Sequence, residues 1–204
     1  MSRASVPGFI EARRSIRAFQ PAAVDRATVD RLIESACHAP APHHSRPWRF
    51  VVVDTADRKH ALARGMGERW RRDLERDGTD AARVDQLVAA SHAKLTAAPV
   101  AVVGCLTWDG LDRYPDEPRR RAEWGMALLS LGAAVENLML AATDAGLASC
   151  WVAAPIFCPE EARDALALPH DWLPHALVLV GRPDPQYTPR DRPPIPLDDL
   201  RTFR

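Results

Sequence analysis

The first segment whose residue types could bind a ligand lies near the N-terminus. It contains three arginines and a serine, in the order Arg13-Arg14-Ser15-Ile16-Arg17. Guanidinium groups and a serine hydroxyl can donate charge-assisted hydrogen bonds to a phosphate. If this arginine segment (residues 13–17) is extended, Ser15 and Arg17 lie on one face, because side chains alternate along a strand. The alternative is a solvated basic turn. All but two of the 27 basic residues are arginines, so such a short motif arises easily by chance, and the residues alone favour the turn.

A second candidate is the proline loop, which we define as residues 39–48, Ala39-Pro40-Ala41-Pro42-His43-His44-Ser45-Arg46-Pro47-Trp48. Its prolines stiffen the chain, and a stiff loop that carries His43, His44 and Arg46 suits a flat ligand with polar edges. The alternative is a plain helix-to-strand connection with surface histidines. We predict no metal site here, because adjacent histidines point apart and no third ligand is near in sequence.

Charged residues surround Trp70 in the third candidate, residues 64–76, which contain five arginines and three acidic residues. The spacing favours a solvated helix face with i,i+4 ion pairs such as Glu68–Arg72. The functional alternative is a lid over an anionic ligand.

Small residues follow a predicted strand in the fourth candidate, residues 146–155. Ala153 and Ala154 would let backbone approach a planar ligand closely, or they simply form a tight strand end. Cys150 is predicted to be a small buried side chain rather than a nucleophile. Arg192 in the C-terminal tail is the last candidate, and its alternative is an ordinary exposed side chain.

Composition argues against several classes of function. The 27 basic residues are balanced by 27 acidic ones, which argues against a nucleic-acid module built on residues 64–76. The longest apolar stretch, residues 126–142, contains Glu136 and Asn137, and no signal-peptide pattern opens the chain, so we expect no membrane segment. Four cysteines without C-x-x-C spacing predict neither zinc nor disulfides and fit a reducing cytoplasm.

Helices and strands alternate along the chain and must position these segments. Asp25 is a candidate N-cap for a helix with apolar residues at 29, 32, 33 and 36, which Pro40 and Pro42 end. The remaining predicted helices cover residues 56–75, 81–97, 121–144 and 159–168, and the predicted strands cover residues 49–53, 100–105, 149–152 and 175–180. Without a βαβ glycine pattern this is an α+β fold, in one domain spanning residues 1–204.

Two features predict a second subunit. The helix over residues 121–144 is apolar nearly all round, which a lone 22.5-kDa chain has difficulty enclosing. Residues 183–204 hold six of the eighteen prolines, so we predict an extended arm that forms no helix and buries its apolar side chains on a partner.

Taken in this order, the segments resemble the FMN-dependent nitroreductase superfamily, from about residue 13 to residue 200. The shared features are Arg-Arg-Ser-x-Arg, a helix ending in Ala-Pro, Pro-Trp before a strand, and a long apolar helix leading into Gly-Leu-x-Ser-Cys-Trp. The resemblance implies an α+β fold with a central, mostly antiparallel sheet flanked by helices. It also implies an interlocked homodimer with extended C-terminal arms and FMN at the dimer interface.

A closer resemblance is to one subgroup, the C-terminal dehydro-coenzyme F420 reductase domain of bifunctional coenzyme F420:L-glutamate ligases. It is carried by Ala-Pro-Ala-Pro-His-His at 39–44, Trp-Arg-x-Asp-Leu at 70–74 and Gly-Leu-x-Ser-Cys-Trp at 146–151. Generic nitroreductases usually carry Asn-x-Gln-Pro in the proline loop, where this chain has Arg46 before Pro47. Since only residues 1–12 precede the arginine segment, we expect a free-standing reductase without the ligase domain.

The resemblance assigns roles to individual positions. FMN would be held by eight residues: Arg13, Arg14, Ser15, Ile16, Arg17, Ala41, Ala153 and Arg192. Ala41 would reach FMN from the other subunit, and Asp73 would touch the deazaflavin substrate. We add His43, His44 and Arg46 as residues facing the substrate, the histidines as candidate proton donors. The alternatives are a broad NAD(P)H-dependent nitro- or quinone reductase and a non-catalytic flavin-storage protein.

Overall fold

A four-stranded antiparallel sheet forms the centre of the computed structural model, which describes residues 7–204. The strands are β1 Trp48–Val53, β2 Val100–Leu106, β3 Ala148–Val152 and β4 Leu173–Gly181. Their order is β1-β2-β4-β3, and every neighbouring pair is antiparallel. The central strand β2 is buried along its whole length, as its uninterrupted apolar sequence predicts. The α+β fold with an antiparallel sheet is confirmed.

Seven helices surround this sheet in the described part of the chain. They are α1 Gly8–Ala12, α2 Arg26–Cys37, α3 Ala56–Arg76, α4 Ala81–Ala97, α5 Glu117–Asp144, α6 Pro159–Leu166 and α7 Leu197–Leu200. Asp25 caps α2 as predicted, and its side chain accepts a hydrogen bond from the Thr28 amide at 2.8 Å. Helix α5 begins at Glu117, four residues before the predicted start, because Asp116 caps it by accepting from the Arg119 amide.

The sheet separates two apolar cores. Alternate residues of β2 point to opposite faces, so Val102 packs with α2 and α5, while Val103 packs with α3 and α6. Helix α5 has the length and hydropathy of a membrane span. Nine of its residues are nevertheless buried in this structure, many of them in the core that α5 shares with α2. Helix α5 is therefore a core helix.

The C-terminal tail, residues 183–204, is extended over most of its length. The prediction that it forms no helix is wrong at α7, a single turn that begins directly after Pro196, the last proline of the chain. Proline excludes a helix only where it stands, so the proline-free Leu197–Leu200 can turn. Ile195 and Phe203 are 74% and 82% exposed, so this chain does not cover them.

Candidate functional site

The arginine segment is extended and lies against β3. The Ile16 amide donates to the Ser149 carbonyl at 3.0 Å, and Ser15 forms a parallel bridge with Ser149. Ser15 and Arg17 are exposed while Ile16 between them is half-buried. The predicted alternation is confirmed, and both polar side chains lie on the accessible face of the segment.

Arg13 joins this segment to α5 and to the tail. Its Nε lies 2.9 Å from Glu136 Oε1 on α5, with 22% of the Arg13 side chain exposed. The Arg192 guanidinium donates to the Arg13 carbonyl, although 179 positions separate the two residues. The structure therefore brings Arg192 to the arginine segment, whereas sequence could name both residues but not their contact.

The thiol of Cys150 lies beside the arginine segment. Burial raises the pKa of Cys150, and the nearby Arg17 guanidinium offsets part of that rise. Cys150 is 1% exposed, which confirms it as a small buried side chain. Next to it, the buried Ser149 Oγ has no hydrogen-bond partner among residues 7–204. Since buried hydroxyls usually find partners, three arginines, an exposed serine and this hydroxyl fit a phosphate-bearing ligand.

Ala153 stands at the end of β3, where the chain enters a 3-10 turn over Ala154–Phe157. It is exposed, and so is Phe157, whereas Pro155 between them is buried and fixes the turn. An alanine at this position leaves the backbone open to a flat ligand.

Asp73 lines a cavity of about 460 Å³ on the α3 side of the sheet. Its walls come from α3, α4 and the end of β3: Met66, Gly67, Arg69, Trp70, Asp73, Ser91, Val152, Ala154, Phe157 and Cys158. The Asp73 carboxylate accepts from Arg69 Nε at 3.0 Å and from Arg76 at 2.8 Å. These two arginines fix the carboxylate at one end of an otherwise largely apolar cavity.

Ion pairing on α3 differs from the predicted Glu68–Arg72 pair. Arg72 reaches across to α6, where it lies 2.9 Å from Glu161 Oε1. Arg69 also approaches Glu161, at 3.6 Å. A carboxylate offered by another helix competes with the i,i+4 partner, and helical spacing cannot reveal it.

The proline loop lies on the other face of the sheet, against α5. Pro40–Pro42 line a depression together with Met126, Leu129 and Ala133 of that helix. His43, His44 and Arg46 all have positive φ, between 48° and 54°, a conformation that costs energy for residues with a side chain. Within one chain, Ala41 and the three polar residues are therefore on the opposite side of the sheet from Asp73.

One of the loop histidines lies near a carboxylate. His43 Nε2 lies 3.8 Å from Asp112 Oδ2 in the segment that follows β2. The Ser45 side chain packs 3.1 Å from the position of a Cβ on Gly110, so the two segments fit closely. The close contact between Ser45 and Gly110 thus fixes the strained loop against the segment that follows β2.

The sequence analysis assigned no role in the site to three residues that the structure places there: Glu136, Ser149 and Arg69. Glu136 stands out in the sequence only as a polar break in an apolar stretch, and that break is the signal available. The Glu136 carboxylate is 42% exposed and forms its ion pair with Arg13.

Comparison with known proteins agrees with the fold. The profile described as "Nitroreductase family" matches residues 10–182, so the chain belongs to the nitroreductase family. It is an oxidoreductase of that family, and family neighbours among the solved structures are described as FMN-dependent. The chain is 30% identical over 194 residues to a 5,6-dimethylbenzimidazole synthase of Rhodospirillum rubrum, covering 90% of this chain and 82% of that protein.

Two further similarities extend over most of the chain. A putative NADH dehydrogenase/NAD(P)H nitroreductase of Methanothermobacter thermautotrophicus is 26% identical, with 90% of this chain and 80% of that protein covered. The crystal structure of a BluB-like flavoprotein from Clostridium difficile 630 superposes with a TM-score of 0.78 at 21% identity, covering 99% of this chain and all of that one. The latter similarity establishes the shared fold.

Proposed function

We propose that the chain reduces the carbon–carbon double bond of dehydro-coenzyme F420, with reduced FMN as the hydride source and a proton completing the reduction. The observation that carries this proposal is the position of Trp-Arg-x-Asp-Leu, residues 70–74. These residues resemble the F420-linked subgroup, and Trp70 and Asp73 stand in the wall of the 460 Å³ cavity beside the end of β3. A cavity with an aromatic wall and a charged end suits a large flat ligand with a polar chain.

FMN would be held by the eight residues named from sequence. Arg13, Arg14, Ser15 and Arg17 would bind the phosphate, with Ile16 held on β3 by the Ser149 carbonyl. The unpartnered Ser149 hydroxyl supports this assignment, because it offers a further buried donor at the same place. Arg192 would contribute from the tail, since it already contacts the Arg13 carbonyl.

Ala153 and Ala41 would contact the flavin ring from two sides. Ala153 is exposed at the end of β3, next to the cavity. Ala41 lies across the sheet in the same chain, so its contact requires a second subunit. We therefore propose a homodimer, which would also cover Leu129 of α5, 77% exposed, and Phe203 of the tail. A cytoplasmic location is part of the same proposal.

The chain's own residues would bind and orient the substrate. Bound FMN supplies the redox chemistry, the transfer of a hydride to an electrophilic carbon. Arg69, held by Asp73 and close to Glu161, would neutralise an anionic group of the substrate at the cavity's charged end. Arg46 on the proline loop would face the substrate from the partner. His43, which lies near Asp112, and His44 are the proposed donors of the proton that completes the reduction.

The second candidate function is a broad NAD(P)H-dependent nitro- or quinone reductase. It is supported by the similarity to the Methanothermobacter protein, whose name states a nitroreductase activity. The two functions share fold and cofactor and differ in what occupies the Asp73 cavity. The similarity to a 5,6-dimethylbenzimidazole synthase adds formation of that compound as a third activity to assay.

Ligand analysis and turnover together test the proposal. Mass spectrometry of the ligands released from the purified protein is expected to show FMN. Reconstituted protein is then given dehydro-coenzyme F420, a nitroaromatic or a quinone under the same reducing system. We expect the highest kcat/KM with the deazaflavin. Equal or higher kcat/KM with the nitroaromatic and the quinone would favour the second function.

A further inference from the structure

Two histidines from different helices meet on the outside of the helical hairpin formed by α3 and α4. His60 Nδ1 lies 3.3 Å from His92 Nε2, and the ring centres are 5.1 Å apart at an angle of 37°. His60 is exposed and His92 is half-buried. Since 32 positions separate them, no ligand-spacing pattern could have revealed the pair.

From this geometry we propose that His60 and His92 form a bis-histidine site for a divalent transition-metal ion such as Zn²⁺. Imidazole nitrogen is a preferred ligand of Zn²⁺, Ni²⁺ and Cu²⁺. With metal–nitrogen bonds of about 2.0–2.1 Å in a tetrahedral site, two ligating nitrogens stand about 3.4 Å apart. The observed 3.3 Å allows an ion to bind without moving either helix.

The distance between the ring centres supports the same conclusion. A straight N–H···N hydrogen bond of this length would hold the two ring centres about 5.6 Å apart. Two rings that share a tetrahedral ion have their centres about 5.2 Å apart. The observed 5.1 Å is close to the separation of two rings that share an ion and shorter than that of a straight hydrogen bond.

The surroundings leave the site open and nearly neutral. Asp57 and Arg64 lie one turn from His60 on α3, and their charges cancel. The residues one turn from His92 on α4 are all uncharged. In residues 7–204 no third histidine, cysteine or carboxylate completes a cluster, so water fills the other positions. Two protein ligands imply an exchangeable ion rather than a permanent one.

A bound ion would join the two helices that form the cavity of the proposed function. Ser91, adjacent to His92, lines that cavity together with Gly67 of α3. The helices approach closely there, because a Cβ on Gly67 would lie 3.2 Å from Val88 Cγ1. Joining α3 to α4 would therefore reduce the freedom of the cavity walls, whichever substrate the cavity takes.

Zinc titration of the chelator-treated protein tests the site directly. We expect calorimetry with ZnCl2 to show one ion per chain and zinc to raise Tm by several degrees, because binding stabilises the folded state. His60→Ala and His92→Ala are each expected to weaken binding at least tenfold, and the double variant to bind little worse than either. His170→Ala, which removes an exposed histidine elsewhere, should behave as the unchanged protein.

Circular dichroism and FMN content show that each variant is folded, since both histidines lie outside the proposed FMN site. Wild-type affinity in the double variant would place the ion elsewhere and overturn the proposal. Absence of zinc binding to the unchanged protein at millimolar concentration would also overturn it. Because zinc binding is read without substrate turnover, neither result bears on the proposed reductase function.

Discussion

Removing the guanidinium groups of the arginine segment should weaken FMN binding selectively through its phosphate. The change is the double variant Arg13→Ala/Arg17→Ala. Arg17 is exposed, and Arg13 uses its Nε for Glu136, which leaves its Nη groups for a ligand. The backbone contact of Ile16 with β3 is independent of both side chains, so the fold of the segment should survive.

The expected size follows from the two charge-assisted hydrogen bonds to the phosphate that the variant removes. A hydrogen bond from a charged group contributes about 1.5–3 kcal/mol, and exposure favours the lower value. Two such bonds give about 3 kcal/mol, which corresponds to an increase in Kd of about a hundredfold. Arg13→Ala alone should cost more than Arg17→Ala, because it leaves the Glu136 carboxylate unpaired near the phosphate. Adding Glu136→Gln should then recover part of the loss.

Fluorescence titration of the deflavinated protein with FMN, and in parallel with riboflavin, measures this effect. Riboflavin has no phosphate group, so its Kd should change little in the double variant. Arg26→Ala/Arg83→Ala, which removes two exposed arginines of α2 and α4, is the matched control and should leave both values unchanged. An unchanged Kd for FMN, or equal losses for FMN and riboflavin, would refute the assignment of the phosphate site.

Three further predictions concern other parts of the molecule. Asp73→Ala should weaken deazaflavin binding, measured by fluorescence quenching, and leave FMN content unchanged, because the cavity wall loses the group that holds Arg69. Burial raises the pKa of Cys105 to about 12 and of Cys158 to about 11. Below the pKa of an unfolded thiol, 9.0, both thiols are neutral in the folded and the unfolded protein. As pH rises from there towards 11–12, the unfolded thiols ionise first, so the free energy of unfolding measured in urea melts should fall. Gly181→Ala should cost about 1–3 kcal/mol in the same melts by overpacking, because its Cβ would lie 2.7 Å from Pro99 Cδ.

Each of these predictions has a clear contrary result. Unchanged deazaflavin affinity in Asp73→Ala would remove the cavity from the proposed substrate site. Rapid labelling of Cys158 by a thiol reagent at a pH of about 8, below the ordinary thiol pKa, would contradict its burial in the folded protein. An unchanged free energy of unfolding in Gly181→Ala would show that Pro99 moves aside at no cost.

Local sequence rules sufficed for most of the fold. Asp25 marks the start of α2 because a helix cap depends on neighbouring residues alone. The strand β2 is apolar on both faces because it is central, and that pattern needs no tertiary knowledge to read. The same locality explains why element boundaries were predicted to within a few residues.

The contacts that build the site were not readable in this way. Arg13 contacts Glu136 because α5 lies beside the arginine segment. Arg72 contacts Glu161 because α6 packs on α3. These pairs depend on how distant elements pack, which periodicity does not encode. Sequence therefore named the arginine segment and Asp73, while the structure showed which groups hold them in place.

An anaerobic half-reaction tests the central claim, that this FMN protein reduces dehydro-coenzyme F420. The holoprotein is chemically reduced and mixed with the substrate in a stopped-flow instrument. The masses of the products are then measured by mass spectrometry. We predict that the absorbance of oxidised flavin returns as a product with two additional hydrogen atoms forms in equal amount. Flavin that stays reduced with this substrate, but is reoxidised at once by a nitroaromatic or a quinone, would contradict the claim.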